Sequence, residues 1–281
     1  MNTSEQPLAR FAVCCVAALC LLFLAACDRG SITDPSQLPT AVDPETAPTE
    51  FFLTQNAPPS GFSSVSFPQI DANLNLLAGW RYEVTLAFNG VFASTPRETS
   101  AEASAQVWFN QLGSARRVLL ETTGELIGQE EDTAFEAVRL GPDAFLVRSG
   151  VCLTNAGDDA AAAADLSAGG LIGGVTNAQP TGIHAIINGN LGMESWQYGF
   201  SNADLVLPAI HTAEGGSIAM ATQGEIWVAP SQNVVVRFYV TLNVENAIIF
   251  DRQLPVTGQV IIRYDLFEMG VAQNISMPFG C

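Results

Sequence analysis

The sequence predicts a mainly β fold (α+β), a wide antiparallel sheet with one apolar face and a few short helices to cover it. Three observations lead there. From position 80 onward apolar residues recur at every second position over several stretches, which is the period of a half-buried strand. Those stretches are bounded by Gly, Pro, Asp and Asn, the residues of tight turns, so successive strands pair antiparallel. Only three short segments read as helix, too few to cover both faces of such a sheet.

The elements follow in order. Residues 70–78, with Ile70, Leu74, Leu76 and Leu77, form a brief helix against the sheet. From Trp80 the even positions Trp80, Tyr82, Val84, Leu86, Phe88 and Phe92 are apolar, while Arg81, Glu83, Thr85 and Asn89 between them are polar. This is a strand with one greasy and one wet face. A loop at 94–98 precedes a second strand at 103–110, and shorter strands fit 117–121, 134–140 and 143–148. The middle of the chain differs. Asp158 and Asp159 stand before an alanine run at 160–164, an arrangement that suits a helix with acidic residues in its first turn. Gly169 and Gly170 end that helix, and 171–174 reads as a flexible apolar hinge. A further helix is expected at 203–213, capped by Ser201 or Asn202, with Leu205, Leu207, Ala209 and Ile210 facing inward and Pro208 limiting its regularity. Strands return at 225–229, 234–244 and 259–267. In the last two, Val234, Val236, Phe238, Val240 and Leu242, and then Val260, Ile262, Tyr264 and Leu266, share the apolar face.

The N-terminal region has a different logic. A short polar head ending in Arg10 leads into an apolar run at 11–26 that closes on Leu24-Ala25-Ala26-Cys27. A charged start, an apolar middle and small residues at a cleavage point make a secretory signal peptide. The run is about 16 residues, short of the roughly 20 that a spanning helix needs. The small residues before Cys27 resemble a bacterial lipobox. That resemblance implies removal of 1–26, acylation of the Cys27 sulfur and anchorage to a membrane through the lipid. Residues 27–60, with Pro35, Pro39, Pro44, Pro48, Pro58 and Pro59 among Ser, Thr, Asp and Gln, read as a semi-extended tether. Asp28 resembles the signal that retains a lipoprotein at the inner membrane of a two-membrane cell. The expected location is therefore exported, on the outer face of the cytoplasmic membrane. The domain proper is expected at 61–281.

Composition narrows the function. With 28 acidic residues against 11 basic ones, the formal charge is -17. Nucleic acid needs a basic face, so it is not an expected partner. A domain lying flat on anionic headgroups is disfavoured for the same reason. Cys14, Cys15 and Cys20 leave with the signal peptide, and Cys27 carries the lipid. Cys152 and Cys281 remain, an even pair in an oxidising compartment, and a disulfide between them is the default inference. His184 and His211 lie far apart, and the cysteines form no CxxC, so no metal site is expected and no cofactor is implied.

Catalytic patterns are weak. Gly215-Gly216-Ser217-Ile218-Ala219 echoes a nucleophile elbow but lacks its final Gly, and His211 is the base nearest in sequence. The acidic triplet 130–132 lacks the Gly and spacing of a calcium loop. The glycines at 169–174 are not followed by the Lys and Ser/Thr of a phosphate loop. No catalytic residue is expected.

An exported lipoprotein with a Pro-rich tether and a run of amphipathic strands broken by short apolar helices resembles the LolA/LppX-type carriers. The closest local likenesses are Trp80-Arg81-Tyr82-Glu83-Val84, Gly224-Glu225-Ile226-Trp227-Val228-Ala229, the stretch 256–266 and the closing Met277-Pro278-Phe279-Gly280-Cys281. Met193-Glu194-Ser195-Trp196-Gln197-Tyr198 looks like the family's Gly-Val-Xaa-Thr-Xaa-Tyr strand, with its Gly and Thr missing. The resemblance covers roughly 72–281. It implies a strongly curved antiparallel sheet, an incomplete half-barrel lidded by helices, with an acyl lipid or a lipoprotein held on the concave face. A sheet whose apolar face is incompletely covered leaves such a cavity on physical grounds as well. Its expected wall is Trp80, Tyr82, Val84, Leu86, Phe88, Val236, Phe238, Val240, Ile262 and Tyr264. Two other readings are a non-enzymatic cell-envelope interaction module on a lipid anchor and a surface hydrolase acting through Ser217.

Overall fold

The computed structural model describes residues 59–127, 133–250 and 254–281. The signal peptide, Cys27, the tether as far as position 58 and the acidic triplet 130–132 lie outside the described residues.

The alternating stretches form strands. They are β1 (Val65–Ser66), β2 (Gly79–Phe92), β3 (Glu98–Asn110), β4 (Ala115–Gly124), β5 (Phe135–Leu140), β6 (Asp143–Arg148) and β7 (Val151–Cys152). The second half adds β8 (Gly174–Val175), β9 (Ala178–Ile186), β10 (Glu194–Phe200), β11 (Leu205–Val206), β12 (Ile210–Met220), β13 (Gly224–Ala229), β14 (Val234–Ile249) and β15 (Val256–Phe267). Three short helices accompany them, α1 (Phe67–Leu74), α2 (Gly157–Ala164) and α3 (Gly169–Ile172). The main sheet has 12 strands in the order β7-β6-β5-β4-β3-β2-β15-β14-β13-β10-β9, with β12 paired to β14 off that path. All its pairings are antiparallel. The end strands β7 and β9 do not meet, so the sheet is an open, incomplete barrel. A small second sheet, β1-β8-β11, lies apart from it in pairing.

Register explains the curvature. The even residues of β2 face the core, and those of β14 and β15 lie opposite in register, with Phe238 on Tyr264 and Tyr264 on Val84. Phe200 of β10 lies over Gly224 of β13 and stacks on Phe238 of β14 at 5.6 Å. At one end of the sheet Gly90 and Gly258 are directly paired across β2 and β15. A Cβ on Gly90 would lie 2.2 Å from the Thr257 carbonyl oxygen, so only glycine lets the backbones approach this closely.

The helices plug the concave side. In α1, Pro68 sits in the first turn, where its missing N–H costs nothing. Phe67, Ile70 and Leu74 form its buried stripe. The Phe67 ring packs edge-on against Phe238 at 5.4 Å and against Tyr264 at 5.3 Å. The observed helix begins before the expected 70–78 because Phe67 has this aromatic socket to fill. The alanine run forms α2, whose Ala160 and Ala164 pack on Ala137 and Leu146 of β5 and β6.

Two sequence expectations need correction. The helix expected at 203–213 is instead a 3-10 turn at Asn202–Asp204 followed by β11 and β12. Asp204 accepts from the Ser201 backbone and hydroxyl, which closes the turn early. Pro208 lacks the N–H a helix needs, and the free edge of β14 offers Ile210–Met220 a ladder instead. The segment 171–174, expected as a hinge, contributes Leu171 and Ile172 to α3. Gly169 and Gly170 begin that helix, and Gly173 at φ 69 ends it. The strand β9 escaped the sequence reading because 179–186 is exposed throughout and so carries no alternation.

Candidate functional site

The concave face is mostly filled. Val236, Phe238, Ile262 and Tyr264 are fully buried, and Trp80, Phe88 and Val240 nearly so. Trp80 stacks between Tyr82 at 5.2 Å and Phe109 at 5.3 Å. Of the ten expected wall residues, Tyr82, Val84 and Leu86 line an apolar cavity, Phe88 borders a separate cleft of about 320 Å³, and the other six belong to the packed core. The apolar cavity has a volume of about 160 Å³. Its floor is Tyr82, Val84 and Leu86 of β2, Ala103 and Ala105 of β3 and Leu120 of β4, and its roof is Leu166, Leu171 and Phe250. The lining is almost wholly apolar, Ser167 and the Tyr82 hydroxyl being the polar groups.

Leu166 and Leu171 come from the segment 165–172, which runs from the end of α2 through α3 and covers the cavity. Polar bonds to the sheet and to α1 hold it down. Arg116 of β4 donates from Nη2 to the Leu166 carbonyl at 2.5 Å. Tyr82 donates to the same carbonyl at 3.4 Å. The Gly169 N–H donates to Asp71 of α1 at 2.8 Å, and Arg139 of β5 pairs with Asp165. Burial pushes the Asp71 carboxyl above the usual carboxylate range, against the pull of the Gly169 N–H and of Arg116. Burial likewise pushes the Tyr82 hydroxyl up to about 12.

Beside the cavity lies a polar cleft of about 560 Å³, lined by Asp71, Asn75, Phe109, Gln111, Ser114, Arg116, Arg139, Gly141, Asp165 and Ser167. Ser167 borders both spaces. Arg116 escaped the sequence reading because the strand was started at 117. Started one residue earlier, the alternation Arg116, Val118, Leu120 places a charge on the greasy face, and that anomaly was the available signal. A larger cleft, about 690 Å³, lies elsewhere, beyond the ends of β9, β10 and β12. It is open and lined largely by neutral polar residues such as Asn177, Gln179, Thr222 and Gln223. The smaller cavity is the better candidate because it is apolar, covered and flanked by a buried charge.

The remaining sequence candidates separate. Cys152 and Cys281 are disulfide-bonded, with Cα atoms 5.3 Å apart. His211 and Ser217 both lie exposed on β12, paired in register with Ile248 and Glu245 of β14. Among the described residues, no three His, Cys, Asp or Glu side chains gather into a metal-sized site. No helix among them is long and apolar enough to cross a membrane.

No protein family model matches the chain. No curated protein matches it either. Several solved structures are similar. LprF from Mycobacterium bovis is 10% identical, over 76% of this chain and 98% of that one, with a TM-score of 0.31. An uncharacterized conserved protein from Thermus thermophilus is 11% identical over 74% and 88%, with a TM-score of 0.26. A LolA superfamily protein from Nitrosomonas europaea is 9% identical over 75% and 96%, with a TM-score of 0.24. The account of the fold rests on the strand order and register of this chain.

Proposed function

We propose that this protein is a non-enzymatic, membrane-anchored lipoprotein that binds or carries a hydrophobic acyl-chain ligand on the concave face of its half-barrel. Acylated Cys27 holds it at the outer face of the cytoplasmic membrane, and the tether spaces the domain from the bilayer. The observation that carries this reading is the apolar cavity beneath the 165–172 cover. Engineered cavities of about 150 Å³ take up a benzene, and ligand sites are more often about 300–1,000 Å³. The cavity as it stands therefore accepts a few carbons, and loading a longer chain requires the cover to lift. The cover is suited to that. It is short, its α3 begins with two glycines, and it is held by the buried Ala168 and Ile172 together with a few polar bonds to the sheet and to α1.

The test uses mature protein from its own cell envelope, analysed by native and denaturing mass spectrometry and by solvent extraction. A stoichiometric acyl species is expected. Ala103→Phe, which fills the cavity from its floor, is expected to lower uptake of a fluorescent fatty acid at least tenfold. Leu120→Ala, which enlarges the cavity, is expected to retain uptake. Absence of any bound mass together with no fatty-acid uptake would mean that the concave face is core alone, and the reading would fall.

A further inference from the structure

Arg116 is buried at 7% exposure, yet among the described residues no carboxylate lies within ion-pair distance of it. Arg117 and Arg237 hold carboxylates at 2.8 and 2.7 Å, and Arg139 holds Asp165. The Arg116 guanidinium instead has a backbone carbonyl, the Tyr82 hydroxyl at 3.5 Å and the face of Trp80 at 5.2 Å. Its Nε–H has no acceptor, and neither does the indole N–H of Trp80 against which it lies. A buried charge and two unmet donors form an arrangement that is costly unless something completes it. What they lack is an acceptor, preferably an anionic one.

Asp71 interacts electrostatically with Arg116, and it does not fill that place. One of its oxygens is taken by the Gly169 N–H, the carboxyl also bonds Ser167, and burial favours its neutral form. The register sharpens the deficit. Arg116 lies directly opposite Arg139 across β4 and β5, and like charges so placed repel. Arg139 already has Asp165, so an oxyanion in the cleft would serve Arg116.

The position of Arg116 defines what that anion is attached to. The residue lines the polar cleft, while its two hydrogen-bond partners, Tyr82 and Leu166, line the apolar cavity. A polar compartment thus adjoins an apolar one across a single guanidinium. At about 160 Å³ the cavity has no room for a second chain beside the first.

Building on the acyl-chain reading above, we propose that the ligand is a single-chain amphiphile with an oxyanion head, a carboxylate or a phosphate monoester, and that Arg116 reads the head. On loading, the head replaces the Leu166 carbonyl at the guanidinium. The bond to the Leu166 carbonyl has one ionised partner and a single contact, whereas a carboxylate or phosphate is ionised as well and binds a guanidinium bidentately, so the exchange is favourable. It also frees Leu166, which loosens the cover at the moment the chain needs to enter.

The test is displacement of the neutral dye N-phenylnaphthylamine from delipidated mature protein by hexadecanoic acid, hexadecyl phosphate and hexadecanol. The acid or the phosphate is expected to displace the dye at a concentration at least tenfold lower than the alcohol, and the order of the two identifies the oxyanion. Arg116→Gln is expected to abolish that preference, so that acid, phosphate and alcohol displace the dye at similar concentrations. Arg116→Lys, which keeps the charge if the Gln variant fails to fold, is expected to reduce the preference several-fold. Equal displacement by acid, phosphate and alcohol in the wild type, or an undiminished preference in a folded Arg116 variant, overturns the assignment and leaves acyl binding standing. No binding of dye or of any chain overturns both readings together.

Discussion

Asp71 shows how one residue links the cover to pH. Its folded-state pKa is raised by burial above the unfolded value of about 3.9. The folded state therefore favours the protonated carboxyl more than the unfolded chain does. That contribution is fully present below the unfolded pKa and is lost as pH rises through the folded one. Asp71→Asn keeps an oxygen for the Gly169 N–H and carries no charge at any pH. Its melting temperature relative to wild type is expected to increase between pH 4 and pH 7, by thermal unfolding at the two values. An identical difference at both would show that the Asp71 charge carries no cost. At this scale the sequence was least informative, since neither Asp71 nor Arg116 is marked by a motif. Both matter because a strand and two helices bring them under one cover.

Among the elements, α1 does the most to close the concave face. Phe67 is fully buried and packs edge-on against Phe238 and Tyr264, which sit in register on adjacent strands. Phe67→Ala leaves a void there that the rigid sheet cannot collapse to fill, and is expected to cost about 3–5 kcal/mol by urea denaturation. A loss below about 1 kcal/mol would mean that α1 is only loosely seated. The strands with one buried face were legible because burial imposes a period of two. In β9 and most of β12 neither face is buried, so no pattern marks them. Ile210 to Met220 is strand because β14 runs on to Ile249, past the end of its pairing with β13, and leaves a partner edge free.

At the scale of the whole molecule the disulfide adds a covalent tie to the ladders of the open sheet. It joins β7, an end strand of the sheet, to the C-terminal tail across a separation of 129 residues. Closure of so long a loop stabilises by roughly 4–5 kcal/mol on the chain-entropy account. Cys152→Ser with Cys281→Ser is expected to lower unfolding free energy by about 2–5 kcal/mol. Urea midpoints of the two forms measure it, and equal midpoints would mean that the ladders alone hold the tail.

The sequence by itself determined the strand faces of β2, β14 and β15, the alanine helix and the identity of the two cysteines left for a disulfide. Each is written in local periodicity, composition or elimination. Tertiary structure alone decided that 203–213 is not helix, because a free strand edge outweighs helical propensity there. It also decided which apolar residues are core and which line a cavity. Trp80, Tyr82 and Phe238 share one sequence pattern, and only the placement of α1 and of the 165–172 cover separates them. Arg116 is the clearest case. Its charge was legible, but its lack of a carboxylate partner is a property of everything folded around it.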